Sequence, residues 1–175
     1  MSTRSQIGVK NTDGSIEIVY CHSDGYFSHN GDKLYNFHNS EEAARKIVSL
    51  GGCSFLSERL DPKGPHGFEY RAREEGCSVF YARDRGDDGG VVDKDFHKDF
   101  EDYVNTGNHQ EYAYLYDVAR QAWIATDLNG RAGYWNWYLL SDLEKAGWAL
   151  YDEDGHRKTD VPTVSYHFIG NEIGA

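Results

Sequence analysis

Short stretches of alternating apolar and polar residues, separated by turn sequences, most strongly limit the folds open to this chain. Residues 5–10 and 15–21 form the first such pair, and the NTDG between them supplies the Asn, Asp and Gly that a tight turn needs. Residues 111–117 and 121–127 form a second pair. We therefore expect two β-hairpins.

The second hairpin begins with an aromatic stripe. Because side chains alternate across a strand, Tyr112, Tyr114 and Tyr116 share one face, and Ala113 and Leu115 share the other. Such stripes stack nucleobases in some proteins, but more often they form one side of a core. We expect a core role.

Helical patterns interrupt the strands. The NSEE string predicts a helix capped by Asn39, with Glu42 completing a capping box and a Gly-Gly pair ending the helix at residues 51–52. The SDLE string at residues 141–144 opens a very short helix in the same way.

Residues 93–103 carry a third helical pattern. Apolar side chains recur there at helical spacing, at Val92, Phe96, Phe100, Tyr103 and Val104. Asp95, Asp99 and Asp102 follow one another at i, i+4 and i+7, so a helix would present them as a carboxylate stripe along one flank.

Further strands are predicted at residues 33–38, 77–82, 134–140 and 164–169. Strands outnumber helices and short turns join them, which predicts an α+β fold with a mainly antiparallel sheet and two or three helices. The length suits one domain, and neither a linker nor a repeat is visible. We expect a single compact domain over residues 1–175.

Charge narrows the classes of partner. The net charge is −11, and residues 91–117 hold seven acids and two bases, a net of −5. Such a chain repels duplex nucleic acid, whose binding requires Lys and Arg against phosphates. It favours a protein partner with a basic surface.

Three sequence features indicate the cellular location: the length of the apolar stretches, the residues at the start, and the cysteines. No apolar stretch reaches the roughly 20 residues of a membrane span, and the start, MSTRSQIGVK, lacks the apolar core of a secretory signal. Cys21, Cys53 and Cys77 are odd in number and form no CxxC pair. We expect no membrane association, reduced buried thiols and a cytoplasmic location.

Two loops collect charged and polar side chains after apolar runs, in YCHSDGY at residues 20–26 and VFYARDRGDDGG at residues 79–90. Loops on firm elements often carry function. If these two converge, they form a pocket for a small nucleotide, lined by His22, Asp24, Tyr26, Arg83 and Arg85. The simpler interpretation, which we favour for the arginines, is a local salt-bridge cluster with the neighbouring aspartates.

His22 and Asp24 also suggest a metal-dependent hydrolase, with His29 and His38 nearby. No paired ligands occur at helical spacing, however, and no cysteine pair closes a site. We therefore expect no metal and no cofactor. No spacing of Ser, His and Asp selects a catalytic triad, so no catalytic residue is assigned and catalytic activity is left open.

The strings STRSQIGVK, DGSIEIVYCHSDGY, VFYARDRG and EYAYLYD resemble a group of small proteins encoded by bacteriophages, prophages and other mobile elements. The resemblance covers roughly the first 125 residues, and its most specific parts are CH-x-DGY and RDRG. The group commonly has Trp between the His and the Asp, where this chain has Ser23. The resemblance implies a phage setting in the bacterial host cytoplasm, and it transfers no catalytic residue.

Together with the charge pattern, the resemblance predicts an accessory protein that acts by stoichiometric binding, and the resemblance implies that it antagonises a component of host defence. The expected contact surface is the acidic helix at residues 93–103, with Asp95, Asp99 and Asp102 meeting a basic, nucleic-acid-handling host protein. The first alternative is sequestration of a small nucleotide signal between the two charged loops. The second is the metal-dependent hydrolase.

Overall fold

The N-terminal hairpin forms the centre of the sheet. In the computed structural model, which describes residues 2–128 and 136–164 and the strands at 166–168 and 171–173, β1 (Ser5–Lys10) pairs antiparallel with β2 (Ile16–Cys21). Asp13 stabilises the turn by accepting hydrogen bonds from the Ser15 amide at 2.9 Å and hydroxyl at 2.6 Å. The first predicted hairpin is confirmed.

The second predicted hairpin is also confirmed, as β6 (Tyr112–Asp117) and β7 (Ala122–Asp127). β6 runs parallel to β1, from Ser5 opposite Tyr112 to Lys10 opposite Asp117. The α+β class is confirmed, and the sheet is mixed rather than purely antiparallel, because β1–β6 and β2–β3 are parallel pairs. Their long connections carry the helices, as parallel crossovers require.

The remaining strands of this eight-stranded sheet are short: β3 (Cys53–Phe55), β4 (Val79–Phe80), β5 (Asp95–His97) and β8 (Tyr138–Leu139). The strand order is β4-β3-β2-β1-β6-β7-β8, and β5 pairs with β2 outside this order. The outer edge of β2 is thus divided between β3, at Cys21, and β5, at residues 16–18.

In the described part of the chain, four α-helices pack on the sheet: α1 (Asp32–Phe37), α2 (Glu41–Leu50), α3 (Phe100–Thr106) and α4 (Leu140–Lys145). The helix at α2 was predicted, but its N-cap is Ser40 rather than Asn39, with the Ser40 hydroxyl accepting from the Ala43 amide at 3.1 Å. Gly51 ends it with a φ of 81°, where glycine is favoured. The predicted helix near residue 141 is confirmed, although it begins at Leu140 and has no side-chain cap.

The prediction of a strand at residues 33–38 is wrong, because α1 forms there. A single helical turn at Phe27–Gly31 leads directly into α1, which buries Leu34. The Asn36 side-chain amide donates to Asp32 Oδ1 at 2.7 Å, an i,i+4 contact typical of a helix.

The helix predicted at residues 93–103 begins later than expected. Residues 95–97 form β5, with Phe96 opposite Glu17 on β2, and α3 starts only after Asp99. The backbone of β2 offers β5 a ladder of hydrogen bonds, and Asp99 is a strong N-cap that sets the helix start. Asp95, Asp99 and Asp102 therefore do not form a stripe along one helix.

Both faces of the sheet are packed. Tyr114 and Tyr116 lie in the core beneath α2, while Ala113 and Leu115 lie in the core beneath α3, as the alternation predicts. The three cysteines are buried free thiols, also as predicted.

The C-terminal strands form a separate antiparallel pair, β9 (Tyr166–Phe168) and β10 (Asn171–Ile173), rather than an edge of the main sheet. Of the strand predicted at residues 134–140, positions 134 and 135 lie outside the described residues, and the strand observed is β8. Among the described residues, no helix has the length and hydrophobicity needed to cross a membrane.

Candidate functional site

The first charged loop is held firmly to the sheet. The His22 amide donates to the Cys53 carbonyl at 2.9 Å, which continues the pairing of β2 with β3. The His22 ring shares a hydrogen bond of 2.7 Å, through Nδ1, with the Tyr20 hydroxyl. His22 and Tyr20 therefore act as one polar unit at the end of β2.

The DGY part of that loop has a packing role. The Gly25 amide donates to the Thr3 carbonyl at 2.8 Å, and the Gly25 carbonyl accepts from the buried Tyr114 hydroxyl at 2.6 Å. A Cβ on Gly25 would lie 2.7 Å from Ser5 Cβ, so glycine is required by this close approach. Tyr26 remains partly exposed and donates to Asp24 Oδ1 at 3.3 Å.

In the second loop, Arg83 binds to other groups of the protein itself. Its guanidinium contacts Asp84 at 2.8 and 3.1 Å and donates to the backbone carbonyls of Leu60 and Ser78. Burial alone would raise the pKa of Asp84, but hydrogen bonds from Arg83 and from the Phe80 amide hold that pKa below its usual range. For Arg83 the local salt-bridge interpretation describes the observed geometry.

Arg85 is also paired. It contacts both carboxylate oxygens of Asp87, at 2.6 and 2.5 Å, and stacks over the rings of Phe68 and Tyr81 at 4.5 and 4.8 Å. This bidentate contact neutralises much of its charge.

The two loops meet through residues other than those singled out. Tyr20, from the first string, lines a cavity of about 230 Å³ together with Tyr81 and Arg85 from the second. Asp24 lies elsewhere, in a cavity of about 700 Å³ with Phe55 and Tyr70. The structure thus brings Tyr20 to Arg85, with His22 bonded to Tyr20, but it does not gather all five predicted ligand residues in one cavity.

The carboxylates predicted to bind a partner have different roles. Asp99 Oδ1 accepts from the Asp102 amide at 2.8 Å, as the cap of α3. Asp102 accepts from the Lys98 amide at 3.2 Å and lies 3.5 Å from His97 Nδ1. Asp95 is exposed on β5 and has no side-chain partner within residues 2–128 and 136–164.

Asp95 belongs to an exposed stretch, residues 91–96, which we call the acidic edge segment. Val91 is 68 % exposed and Phe96 is 66 % exposed, both unusually high for apolar side chains of this size. Between them the carboxylate of Asp93, like that of Asp95, makes no hydrogen bond or ion pair with the described part of the chain, whereas Lys94 is paired with Glu17 at 3.3 Å. Sequence reasoning missed the exposure of Phe96, because its spacing from Phe100 matches a helix core.

Side chains with the spacing of metal ligands lie outside the two charged loops. In the described ranges, the set of three side chains close enough to share an ion is Asp152, Asp154 and His156, all exposed. His22 and Asp24 belong to no such set there.

Comparison of this chain with protein-family models, with curated proteins and with solved structures finds no match.

Proposed function

We propose that this protein acts by stoichiometric binding to a partner protein, and that the acidic edge segment makes the contact. The observation that carries the proposal is the exposure of Val91 and Phe96 on either side of two carboxylates that have no partner among the described residues. Exposed apolar groups flanked by polar ones are typical of protein interaction sites. Aromatic side chains are common among the residues that dominate binding energy.

Charge supports a basic partner. Asp93 and Asp95 are exposed and unpaired within the described ranges, on a chain whose net charge is −11. Complementary charge accelerates encounter and selects among partners more than it tightens binding. Burial of Phe96 then provides affinity.

The position of the acidic edge segment supports contact with a partner that adds a β-strand to the sheet. β5 pairs with β2 along one edge and has no second neighbouring strand among the described residues. A free strand edge offers backbone hydrogen bonds to an incoming strand. Asp99 and Asp102 instead support α3, so the proposed surface keeps only Asp95 of the three carboxylates predicted to bind.

The setting remains part of the proposal. The resemblance to proteins of phages and mobile elements supports a role in the bacterial cytoplasm, as an antagonist of a host-defence component that handles nucleic acid. Proteins that handle nucleic acid carry basic surfaces, which an acidic protein can occupy.

Affinity capture from bacterial host lysate tests the proposal. The parent, a double Asp93→Asn and Asp95→Asn variant, and Phe96→Ser serve as bait. A Tyr151→Ser variant is the matched control, since Tyr151 is half-exposed and lies outside the segment. We expect one host protein to be captured in equal molar amount by the parent and the control, and much less by the other two variants and at high salt. Equal capture by all four baits would reject the surface.

The cavity shared by Tyr20, Tyr81 and Arg85 favours a second candidate, sequestration of a small nucleotide. Two aromatic rings and a guanidinium suit a base and a phosphate. Against it, Asp87 already pairs with Arg85, and Asp88 and Asp93 also line the cavity. If a nucleotide binds, Arg85→Ala removes nucleotide binding and the double Asp93→Asn and Asp95→Asn variant retains it. The partner proposal predicts the opposite pattern for capture of the host protein, which Arg85→Ala retains and the double variant weakens.

A further inference from the structure

A polar cleft lies on the face of the sheet that α3 only partly covers. It has a volume of about 370 Å³ and is lined by Arg4, Gln6 and Tyr20, by residues 93–95, and by Asn108 and Gln110. Phe100 and Tyr103 of α3 pack on the same face. The cleft therefore begins where the cover of this helix ends, and it is large enough for a small molecule.

Gln6 is the most informative residue in the cleft. It is only 3 % exposed, and its Oε1 accepts a hydrogen bond of 2.9 Å from the buried Tyr103 hydroxyl. Burial raises the pKa of Tyr103, so the hydroxyl keeps its proton and donates it. This contact fixes the orientation of the Gln6 amide, and its NH₂ group has no partner among the described residues. Gln6 Nε2 is not among the fully buried polar atoms that lack a partner, so the NH₂ group is accessible from the cleft that Gln6 lines and can donate to a ligand there.

Arg4 provides a positive charge in the same cleft. It lies two residues before Gln6, and both residues line the cleft. Its guanidinium makes no ion pair with residues 2–128 or 136–164. A guanidinium and an amide NH₂ group that line one cleft are suited to bind a carboxylate.

The lining of the cleft also carries negative charge. Asp93 and Asp95 line the cleft without partners in the described ranges, and the intervening Lys94 is paired with Glu17. A ligand ammonium group would satisfy these carboxylates. The same two carboxylates would repel a phosphate, which carries more negative charge than a carboxylate.

We propose that this cleft binds a small zwitterion of the α-amino-acid class, with its carboxylate at Arg4 and Gln6 and its ammonium group at Asp93 and Asp95. This site shares Asp93 and Asp95 with the proposed partner contact but goes beyond it, because Arg4 and Gln6 lie on or beside β1 and outside the acidic edge segment. Substitution of Arg4 therefore tests the cleft separately from the partner contact.

The test uses NMR titration of the intact protein with the standard L-α-amino acids, each added alone. Propionate and ethylamine, which each carry one of the two charges, are the ligand controls, and inorganic phosphate tests a general anion site. We expect saturable shifts of the Gln6 side-chain amide signals with at least one amino acid, and none with the three controls.

Variants locate the site. Arg4→Gln should weaken binding by roughly tenfold or more, since hydrogen bonds to charged groups are strong. Arg71→Gln, which changes another exposed arginine outside the cleft, should not alter binding. Gln6→Glu retains an acceptor for Tyr103 but loses the NH₂ donor, so it should also weaken binding. The proposal is overturned if no amino acid shifts the Gln6 signals, if Arg4→Gln binds as tightly as the parent, or if propionate binds equally well.

Discussion

The guanidinium of Arg83 and the carboxylate of Asp84 form a two-point ion pair, with Nε–Oδ1 and Nη2–Oδ2 distances of 2.8 and 3.1 Å. The Phe80 amide donates to the same carboxylate at 2.8 Å. The Asp84 side chain is only 5 % exposed, so this ion pair stabilises the turn after β4 from its buried side. Arg83 therefore serves the fold rather than a ligand.

Replacement of Asp84 by Asn should lower the free energy of unfolding by about 2–3 kcal/mol, because it leaves Arg83 without its buried partner. Asp87→Asn removes an exposed pair, which water screens, and should lower stability much less. Urea unfolding at neutral pH measures both changes. Equal losses in the two variants would contradict the internal role of Arg83.

The same carboxylate predicts a pH dependence. The pKa of Asp84 is lower in the folded protein than in the unfolded chain, so its contribution to stability is present above the unfolded pKa. That contribution is lost as the pH falls through the folded pKa. The stability difference between the parent and Asp84→Asn should therefore shrink in acid, in urea unfolding repeated at decreasing pH. A difference that does not change with pH would argue against a depressed pKa.

Asp99 and Asp95 should respond differently to substitution. Asp99→Ala removes the cap of α3 and should cost about 1 kcal/mol, whereas Asp99→Asn should be nearly neutral because Asn also caps helices. Asp95→Asn should leave stability unchanged, since the Asp95 carboxylate is exposed and makes no hydrogen bond or ion pair with the described residues. Thermal unfolding of the three variants tests this. A loss on Asp95→Asn as large as that on Asp99→Ala would contradict the exposed, unpartnered position of Asp95 on β5.

Gly25→Ala should destabilise the protein by roughly 1–3 kcal/mol, because the new Cβ would lie 2.7 Å from Ser5 Cβ. Gly64→Ala is the matched control: its nearest neighbouring atom would lie at 3.7 Å, so little change is expected. Chemical denaturation compares the two. Tolerance of alanine at position 25 would show that the loop does not need this close approach to β1.

Local patterns predicted much of the fold. The alternation of apolar and polar residues identified both hairpins. It also assigned Tyr114 and Ala113 correctly to opposite faces, because successive side chains of a strand point to opposite faces of the sheet. A Gly pair correctly ended α2 at Gly51. The failures arose where a distant segment decided the conformation. Phe96 and Phe100 have helical spacing, but β2 draws Phe96 into a strand.

The candidate site was less predictable because it depends on contacts between remote residues. The loops were identified as polar, but no local pattern shows that Arg83 turns toward Leu60, or that Tyr20 rather than Asp24 faces Arg85. The bond between Gln6 and Tyr103 joins positions 97 residues apart. Nothing near Gln6 in the sequence indicates it.

Site-specific photo-crosslinking tests the proposed partner surface most directly. A photoreactive phenylalanine analogue replaces Phe96 in one variant and Tyr151 in another, and both are irradiated in bacterial host lysate. The account predicts a covalent adduct with one host protein from position 96, weakened by added Asp93→Asn and Asp95→Asn changes, and none from position 151. An adduct from position 151 with none from position 96, in lysate where the parent still captures its partner, would contradict the proposed surface.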